Sequence, residues 1–162
     1  GGKIVVSSEV GKGSTFKVYL PTVEREQASL PLAEKTIATG SERILFVDDE
    51  TALVNIGKQM LESMGYKVTT RTSSIEALEL FKAKTNSFDL VITDMTMPNM
   101  TGDELARELI RIKPEIPVVL CTGYSARINQ QQAAAMGIRA FVSKPILKRD
   151  IAKTIRKVLD KQ

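Results

Sequence analysis

Three short, continuously apolar runs constrain the fold of this chain more than any other feature. They alternate with segments in which apolar residues recur every three or four positions, the spacing of an amphipathic helix. An uninterrupted apolar strand is buried on both faces, which is typical of a parallel sheet covered by helices on both sides. The three runs are Ile44–Val47, Phe88–Thr93 and Ile116–Cys121.

Two weaker strands complete the predicted sheet, Tyr66–Thr70 and Ala140–Ser143, and helical patterns follow each strand. Right-handed crossovers between parallel strands leave few arrangements open. We therefore predict an α/β fold, a flavodoxin-like (βα)5 doubly wound parallel sheet with strand order 2-1-3-4-5. Tyr66–Thr70 is the least apolar strand, which suits its place at the edge of that sheet.

Local signals indicate where the helices begin and end. Ser73 with Glu76, and Thr101 with Glu104, have the spacing of capping boxes. Gly65 stands where a glycine would end the first helix. The fourth helix is expected over Ile128–Met136.

The first 42 residues lack this alternation. Lys3–Ser7 and Thr15–Leu20 are β-type runs around a glycine-containing loop, which predicts a hairpin. A hairpin alone is marginally stable in water, so it should belong to a larger sheet. Residues 22–42 have no sustained period and are expected to form a linker, with the α/β domain over 43–162. The chain starts Gly-Gly without Met, as expected of a piece of a longer protein.

Composition excludes several classes of function. The chain has no histidine, which excludes histidine metal sites, Ser-His-Asp triads and a phosphohistidine on this chain. The single Cys121 cannot form an internal disulfide and is expected to be a buried, reduced thiol. No apolar run approaches the length of a membrane span. The basic segment Lys148–Lys161 lacks aromatic interleaving, so we expect a solvated helix face and no nucleic acid partner.

Polar side chains stand where the central strands end, and parallel strands bring such ends to one edge of a sheet. Carboxylates about 4 Å apart repel by roughly 4 kcal/mol at an effective dielectric near 20, so a cluster of them needs a cation. Carboxylate oxygens select a hard ion such as Mg²⁺, which also takes phosphate oxygens as ligands. The residues are Asp48 and Asp49 after the first strand, Asp94 after the third, Thr122 after the fourth and Lys144 after the fifth.

Each of these residues also has a purely structural interpretation. Asp49 could cap a helix, Asp94 could begin a turn, and Thr122 could cap one. Lys144 could be a surface lysine. Their coincidence at the ends of adjacent strands favours a phosphate and metal site over independent structural roles.

Residues 43–160 resemble the receiver domain of two-component response regulators. The similarity extends over the whole predicted domain and keeps the family's spacing. The motifs that carry it are Val47-Asp48-Asp49-Glu50, Leu90–Asp94 with Met97-Pro98 and Gly102, Thr122-Gly123, Phe141, and Lys144-Pro145.

This resemblance implies a role for each site residue. Asp94 would be the phosphoacceptor, and it would hold Mg²⁺ together with Asp48, Asp49 and the backbone carbonyl of Thr96. Thr122 and Lys144 would bind the phosphoryl oxygens. The Lys144-Pro145 peptide bond would be cis, as X-Pro bonds can be.

The resemblance also implies a switch. Asp94 would attack a phosphohistidine and become an acyl phosphate. Thr122 would then move toward the phosphoryl group, and Phe141 would turn into the vacated space. The surface of the fourth helix, fifth strand and fifth helix would change. Apart from the resemblance, we hypothesise that Tyr124, two residues past Thr122, shields the acyl phosphate from water and slows dephosphorylation.

Residues 1–21 resemble the last two strands of a histidine-kinase ATPase domain, chiefly at Gly13-Ser14-Thr15-Phe16 and Leu20-Pro21. The Gly-Lys-Gly-Ser-Thr stretch is not a P-loop, because Val6 stands where that motif requires its first glycine. We therefore expect no nucleotide binding by this segment.

Taken together, these resemblances imply the C-terminal part of a hybrid histidine kinase that works in a phosphorelay. The phosphoryl donor, a kinase or a phosphotransfer domain, would lie outside this histidine-free chain. Whether the fragment is an enzyme stays open, because the receiver would assist its own phosphoryl transfer and dephosphorylation while the fragment lacks the kinase core. We expect the fragment to be cytoplasmic and to make no membrane contact, while membrane anchoring of the parent protein stays open. A weak homodimer through exposed strand edges stays an alternative. The rival function is a phosphorylation-independent, receiver-like binding module.

Overall fold

The computed structural model describes residues 2–21, 37–123 and 137–160. The chain divides into two compact units, Gly1–Lys35 and Thr36–Gln162. The predicted helix Ile128–Met136 and the predicted shielding residue Tyr124 lie outside the described residues. No helix in the described ranges is long and apolar enough to cross a membrane.

The first unit contains an antiparallel hairpin of β1 (Lys3–Glu9) and β2 (Gly13–Tyr19). Gly11 and Gly13 adopt φ values of 81° and 99° in the turn, a left-handed conformation that glycine reaches without steric cost. Side chains alternate between the two faces of a strand, so the register places four apolar side chains on one face. These are Ile4, Val6, Phe16 and Val18, each more than half exposed.

The second unit is the predicted doubly wound sheet. In the described residues its strands are β3 (Arg43–Val47), β4 (Lys67–Arg71), β5 (Leu90–Asp94), β6 (Val118–Thr122) and β7 (Ala140–Ser143). These five strands are all parallel and lie in the order β4-β3-β5-β6-β7, which is the order 2-1-3-4-5 within the domain. The fold prediction is therefore confirmed, with the least apolar strand at the edge.

Helices cover this sheet on both faces and create two separate hydrophobic cores. The described helices are α1 (Thr51–Glu62), α2 (Ser74–Ala83), α3 (Gly102–Ile112) and α4 (Lys148–Leu159, the fifth helix of the sequence prediction), with a 3-10 turn at Thr85–Ser87. One core packs strand residues such as Leu45 and Val91 against α2 and α3, and the other packs Phe46 and Ile92 against α1 and α4. Adjacent strand residues thus enter opposite cores, which is why these strands are apolar without alternation.

The helix ends agree in part with the capping residues that the sequence predicts. Thr101 and Glu104 form a capping box, in which the Glu104 carboxylate accepts a hydrogen bond from the Thr101 N–H at 2.9 Å. Ser73 accepts a long hydrogen bond of 3.4 Å from the Glu76 N–H. Gly65 follows α1 with φ of 94°, as expected of a glycine beyond a helix end.

The domain begins earlier than the sequence pattern indicates. Residues 37–42, which that pattern places in the linker, belong to the same compact unit as the sheet. The Gly40 N–H donates to the Met64 carbonyl at 3.0 Å, and the Lys67 N–H donates to the Glu42 carbonyl at 3.0 Å. These are isolated backbone contacts without apolar periodicity, so the sequence carries no signal for them.

Candidate functional site: an acidic pocket at the carboxyl edge of the sheet

The carboxyl ends of four neighbouring strands carry the polar side chains of the site. Asp48 follows β3, and Asp94 is the last residue of β5. Thr122 ends β6, and Lys144 follows β7. Asp48, Asp94 and Thr122 are only 1%, 6% and 9% exposed, an unusual burial for polar side chains that requires compensating partners.

The Lys144 ammonium group joins the two buried carboxylates. Its Nζ atom lies 2.8 Å from Asp48 Oδ2 and 2.8 Å from Asp94 Oδ1. Partial burial on its own would lower the pKa of Lys144, but the hydrogen bonds and charges of both carboxylates outweigh it and raise that pKa. Lys144 is therefore a permanent cation between two anions.

Backbone N–H groups satisfy the remaining oxygen of each carboxylate. Asp48 Oδ1 accepts from the Glu50 N–H at 3.0 Å, and Asp94 Oδ2 accepts from the Thr96 N–H at 3.1 Å. Sequence reasoning missed both donors. An aspartate that bonds to the amide two residues further on is a common turn pattern, and that pattern could have revealed them.

The structure does not bring Asp49 into this cluster. Its side chain is exposed and makes no hydrogen bond or ion pair within the described residues. Over 2–21, 37–123 and 137–160, no three acidic or cysteine side chains are close enough to form a metal site as they stand. The single positive charge of Lys144 offsets only one of the two negative charges of Asp48 and Asp94, so the cluster keeps a net negative charge that does not attract a third carboxylate.

The donor set nevertheless fits a hard divalent cation. Asp48 and Asp94 are carboxylates that already share a positive group at 2.8 Å, and Asp49 adds a third carboxylate next in sequence to Asp48. Thr96, expected to offer its carbonyl, lies exposed two residues after Asp94. Oxygen donors of this kind are the ligands that Mg²⁺ prefers.

A glycine lets the loop after β5 approach the phosphoacceptor candidate. The Gly102 N–H donates to the Met95 carbonyl at 2.9 Å, which folds the loop back on the strand end. A Cβ atom on Gly102 would lie 1.9 Å from the Asp94 carbonyl oxygen. Any larger residue must push α3 away from β5, so Gly102 fixes the backbone that carries Asp94.

The two predicted switch residues lie on neighbouring strands. Thr122 is buried at the end of β6, and Phe141 is half-buried in β7, packed against the core that includes Leu120. Leu120 and Phe141 are register partners, as are Thr122 and Ser143. The Lys144-Pro145 peptide bond is cis, as the resemblance implied.

Cys121 lies beside the site without taking part in it. It is the register partner of Asp94 and is fully buried. Burial raises the pKa of its thiol to about 12, which keeps it protonated and unreactive at neutral pH. The expectation of a buried, free thiol is therefore confirmed, and its inertness stays a prediction.

A doubly wound parallel sheet with buried carboxylates and a lysine at its carboxyl edge defines a class of phosphate-handling signalling domains. Residues 44–156 match the response regulator receiver domain family, and the chain belongs to that family. It is similar to the solved receiver domain protein from Clostridium thermocellum, with 34% identity, a TM-score of 0.71, and coverage of 74% of this chain and 95% of that one.

Two sensor kinases align with the whole chain, including the hairpin. The sensor kinase CckA of Brucella abortus is 36% identical over 100% of this chain and 18% of its own length. The aerobic respiration control sensor protein ArcB of Escherichia coli is 31% identical over 100% of this chain and 21% of its own length. The chain thus spans about a fifth of the length of these curated relatives.

Proposed function

We propose that the chain is the phosphoacceptor receiver of a hybrid histidine kinase and accepts a phosphoryl group on Asp94. The observation that carries this proposal is the Lys144 ammonium held between Asp48 and Asp94. Lys144 can neutralise a phosphoryl oxygen there, while Asp94 presents a carboxylate that is held in position by the Thr96 N–H and by Lys144.

The reaction we propose is an in-line displacement. An Asp94 carboxylate oxygen attacks the phosphorus of a phosphohistidine, a P–O bond forms, and the P–N bond to the imidazole breaks. Lys144 offsets the negative charge of the transferring group. Asp48, Asp49, Asp94 and the Thr96 carbonyl would hold Mg²⁺, as receiver domains generally do, and the bound ion would supply further charge compensation.

The switch we propose starts from the new charge on Asp94. The acyl phosphate presents oxygens to which the Thr122 hydroxyl can donate a hydrogen bond. Movement of Thr122 opens space next to β7, and Phe141 is the half-buried side chain placed to fill it. The surface of β7 and α4 then changes shape, and that change is the output; the helix predicted at Ile128–Met136, expected to share this surface, lies outside the described residues.

The phosphohistidine partner has an apolar surface on which to dock. A groove of about 530 Å³ lies next to the site. Ile56 on α1 borders it and is 57% exposed, so its side chain is available for contact with a partner. The groove is lined by Leu53, Ile56, Gly57, Met60, Lys144, Pro145 and Ile146. Because Lys144 is part of this lining, a donor domain seated here would stand beside Asp94.

The hairpin supports the hybrid-kinase part of the proposal. Its apolar face needs a protein surface to cover it, and a two-stranded hairpin is not stable on its own. The last strands of a kinase ATPase domain would have such a surface around them, and both sensor kinases align across this segment. The chain holds no histidine, so the donor imidazole belongs to another part of the parent protein or to a separate protein.

Incubation with acetyl phosphate and Mg²⁺, followed by intact mass measurement, tests this function. The native chain should gain one phosphoryl group, and Asp94→Asn should gain none. A native chain that stays unmodified while folded would instead support the phosphorylation-independent binding module.

A further inference from the structure

A junction far from the phosphoacceptor ties the segment before β3 to the last helix. Arg156 of α4 donates through Nη2 to Glu42 Oε1, and both side chains are less than one third exposed. The Arg156 guanidinium carbon also lies 5.9 Å from the centroid of the Tyr66 ring. Glu42, Tyr66 and Arg156 thus join three parts of the fold, and we call them the Glu42 junction.

The backbone around this junction is fitted closely. A Cβ atom on Gly40 would lie 2.4 Å from Tyr66 Cε1, and one on Gly65 would lie 2.5 Å from the Gly40 carbonyl oxygen. The Ser41 N–H donates to Glu42 Oε2 at 2.9 Å, which leaves Oε1 for Arg156. Residues 37–42 therefore have little freedom to move without Tyr66 and Arg156.

The last helix links the junction to the phosphoacceptor site. Lys144 contacts Asp94, and α4 starts four residues later at Lys148. Arg156 lies eight residues into this helix, about 12 Å along its axis. The buried face of α4, including Ile155, packs in the same core as Ile92. A shift of Lys144 can therefore displace α4 as a body, because a packed helix does not bend freely.

We propose that the Glu42 junction couples phosphorylation of Asp94 to residues 37–42. This inference rests on the proposed function and deepens it. Phosphoryl binding draws Lys144 and α4 into a new position, and the Glu42–Arg156 pair passes that movement to the segment that precedes β3. The receiver would then change the start of its own domain, in addition to the surface of β7 and α4.

Two properties of the junction favour this role. The ion pair is partly buried and supported by an aromatic ring, so it is screened less than a surface pair. It also joins residues 114 positions apart in the sequence, a separation that motion within a single loop cannot bridge. Coupling is reciprocal by thermodynamic necessity, so a change at the junction must alter ligand affinity at the Asp94 site.

Amide hydrogen exchange of the full chain tests the proposal. The reporters are the Gly40 and Lys67 N–H groups, which are bonded to the Met64 and Glu42 carbonyls. Their exchange would be measured with and without acetyl phosphate and Mg²⁺. In the native chain we expect phosphorylation to change the exchange rates of these two amides by about five- to thirtyfold, which corresponds to a change of about one to two kcal/mol in the free energy of local opening.

Three variants make this test specific. Arg156→Gln and Glu42→Gln should each abolish most of the phosphorylation-dependent change while still accepting the phosphoryl group. Arg149→Gln, an exposed arginine on the same helix, should retain the native response. By reciprocity, Arg156→Gln should also change the affinity for beryllium fluoride with Mg²⁺ by about fivefold or more, and Arg149→Gln should not.

The outcomes separate the two proposals. A native chain that gains the phosphoryl group by mass but shows no change at Gly40 and Lys67 overturns the coupling and leaves the proposed function intact. The coupling is also overturned if Arg156→Gln responds as strongly as the native chain. A chain that takes no phosphoryl group refutes the proposed function, and the coupling falls with it.

Discussion

Replacing Lys144 with methionine removes the positive charge between two buried carboxylates while keeping a side chain of similar length. Asp48 Oδ2 and Asp94 Oδ1 both lie 2.8 Å from Lys144 Nζ, so these oxygens are at most about 5.6 Å apart. At an effective dielectric near 20, two unit charges at that separation repel by about 3 kcal/mol. Removing one partner of a buried pair typically costs about 3–5 kcal/mol. We expect Lys144→Met to lower the free energy of unfolding by about 3 kcal/mol at pH 7 without Mg²⁺.

Urea unfolding followed by far-ultraviolet circular dichroism measures this effect, since the chain contains no tryptophan to report fluorescence. Mg²⁺ should restore most of the lost stability, because the cation replaces the missing positive charge. Lys153→Met on the exposed face of α4 is the matched control and should change stability by less than about 0.5 kcal/mol. If Lys144→Met is as stable as Lys153→Met without Mg²⁺, the electrostatic account of the pocket is wrong.

Three further outcomes are expected. Gly102→Ala should lose about 1–3 kcal/mol of stability and most phosphorylation by acetyl phosphate, because its Cβ meets a carbonyl oxygen at 1.9 Å. Gly123→Ala, where nothing lies within 4 Å, is the control for unfolding and mass measurements, and equal effects of both would refute the steric argument. The bidentate hydrogen bonds of Arg43 hold the pKa of Asp89 below its usual 3.8. That pair therefore stabilises the fold above pH 3.8 and loses its effect as the pH falls through the lowered pKa. Because the pair is partly exposed, Asp89→Asn should lower the free energy of unfolding by at most about 1 kcal/mol at pH 7 and should not change it in strong acid. Cys121 should react with a thiol reagent at pH 8 only after unfolding in urea, and rapid reaction of the folded chain would contradict its burial.

The strands of the sheet were predictable because burial on both faces leaves a simple mark in the sequence. Ala140–Ser143 is the strand that the pattern located without error, and the other four shifted by one or two residues. The shifts have a physical reason. Phe88 and Ile116 are buried core residues that precede β5 and β6, so they look like strand residues although their backbone is not paired there.

The sequence predicted which strand ends carry the candidate site, because parallel strands bring their carboxyl ends together whichever side chains they bear. The sequence did not predict the positions of the individual side chains. The sequence could not show that Lys144 bridges Asp48 and Asp94, or that Asp49 faces solvent, because these depend on rotamers and on the charge balance of the folded pocket. Likewise, the pairing of Glu42 with Arg156 joins distant residues and left no periodic signal.

Borohydride trapping of the phosphorylated chain identifies the residue that carries the phosphoryl group. The reagent reduces an acyl phosphate to an alcohol, so the modified aspartate becomes homoserine and can be located by peptide mass spectrometry. We expect homoserine at Asp94 after treatment with acetyl phosphate and Mg²⁺, and none without Mg²⁺. Homoserine at Asp48 or Asp49 instead, or at no aspartate in a chain shown to be folded, would contradict the assignment of Asp94 as the phosphoacceptor.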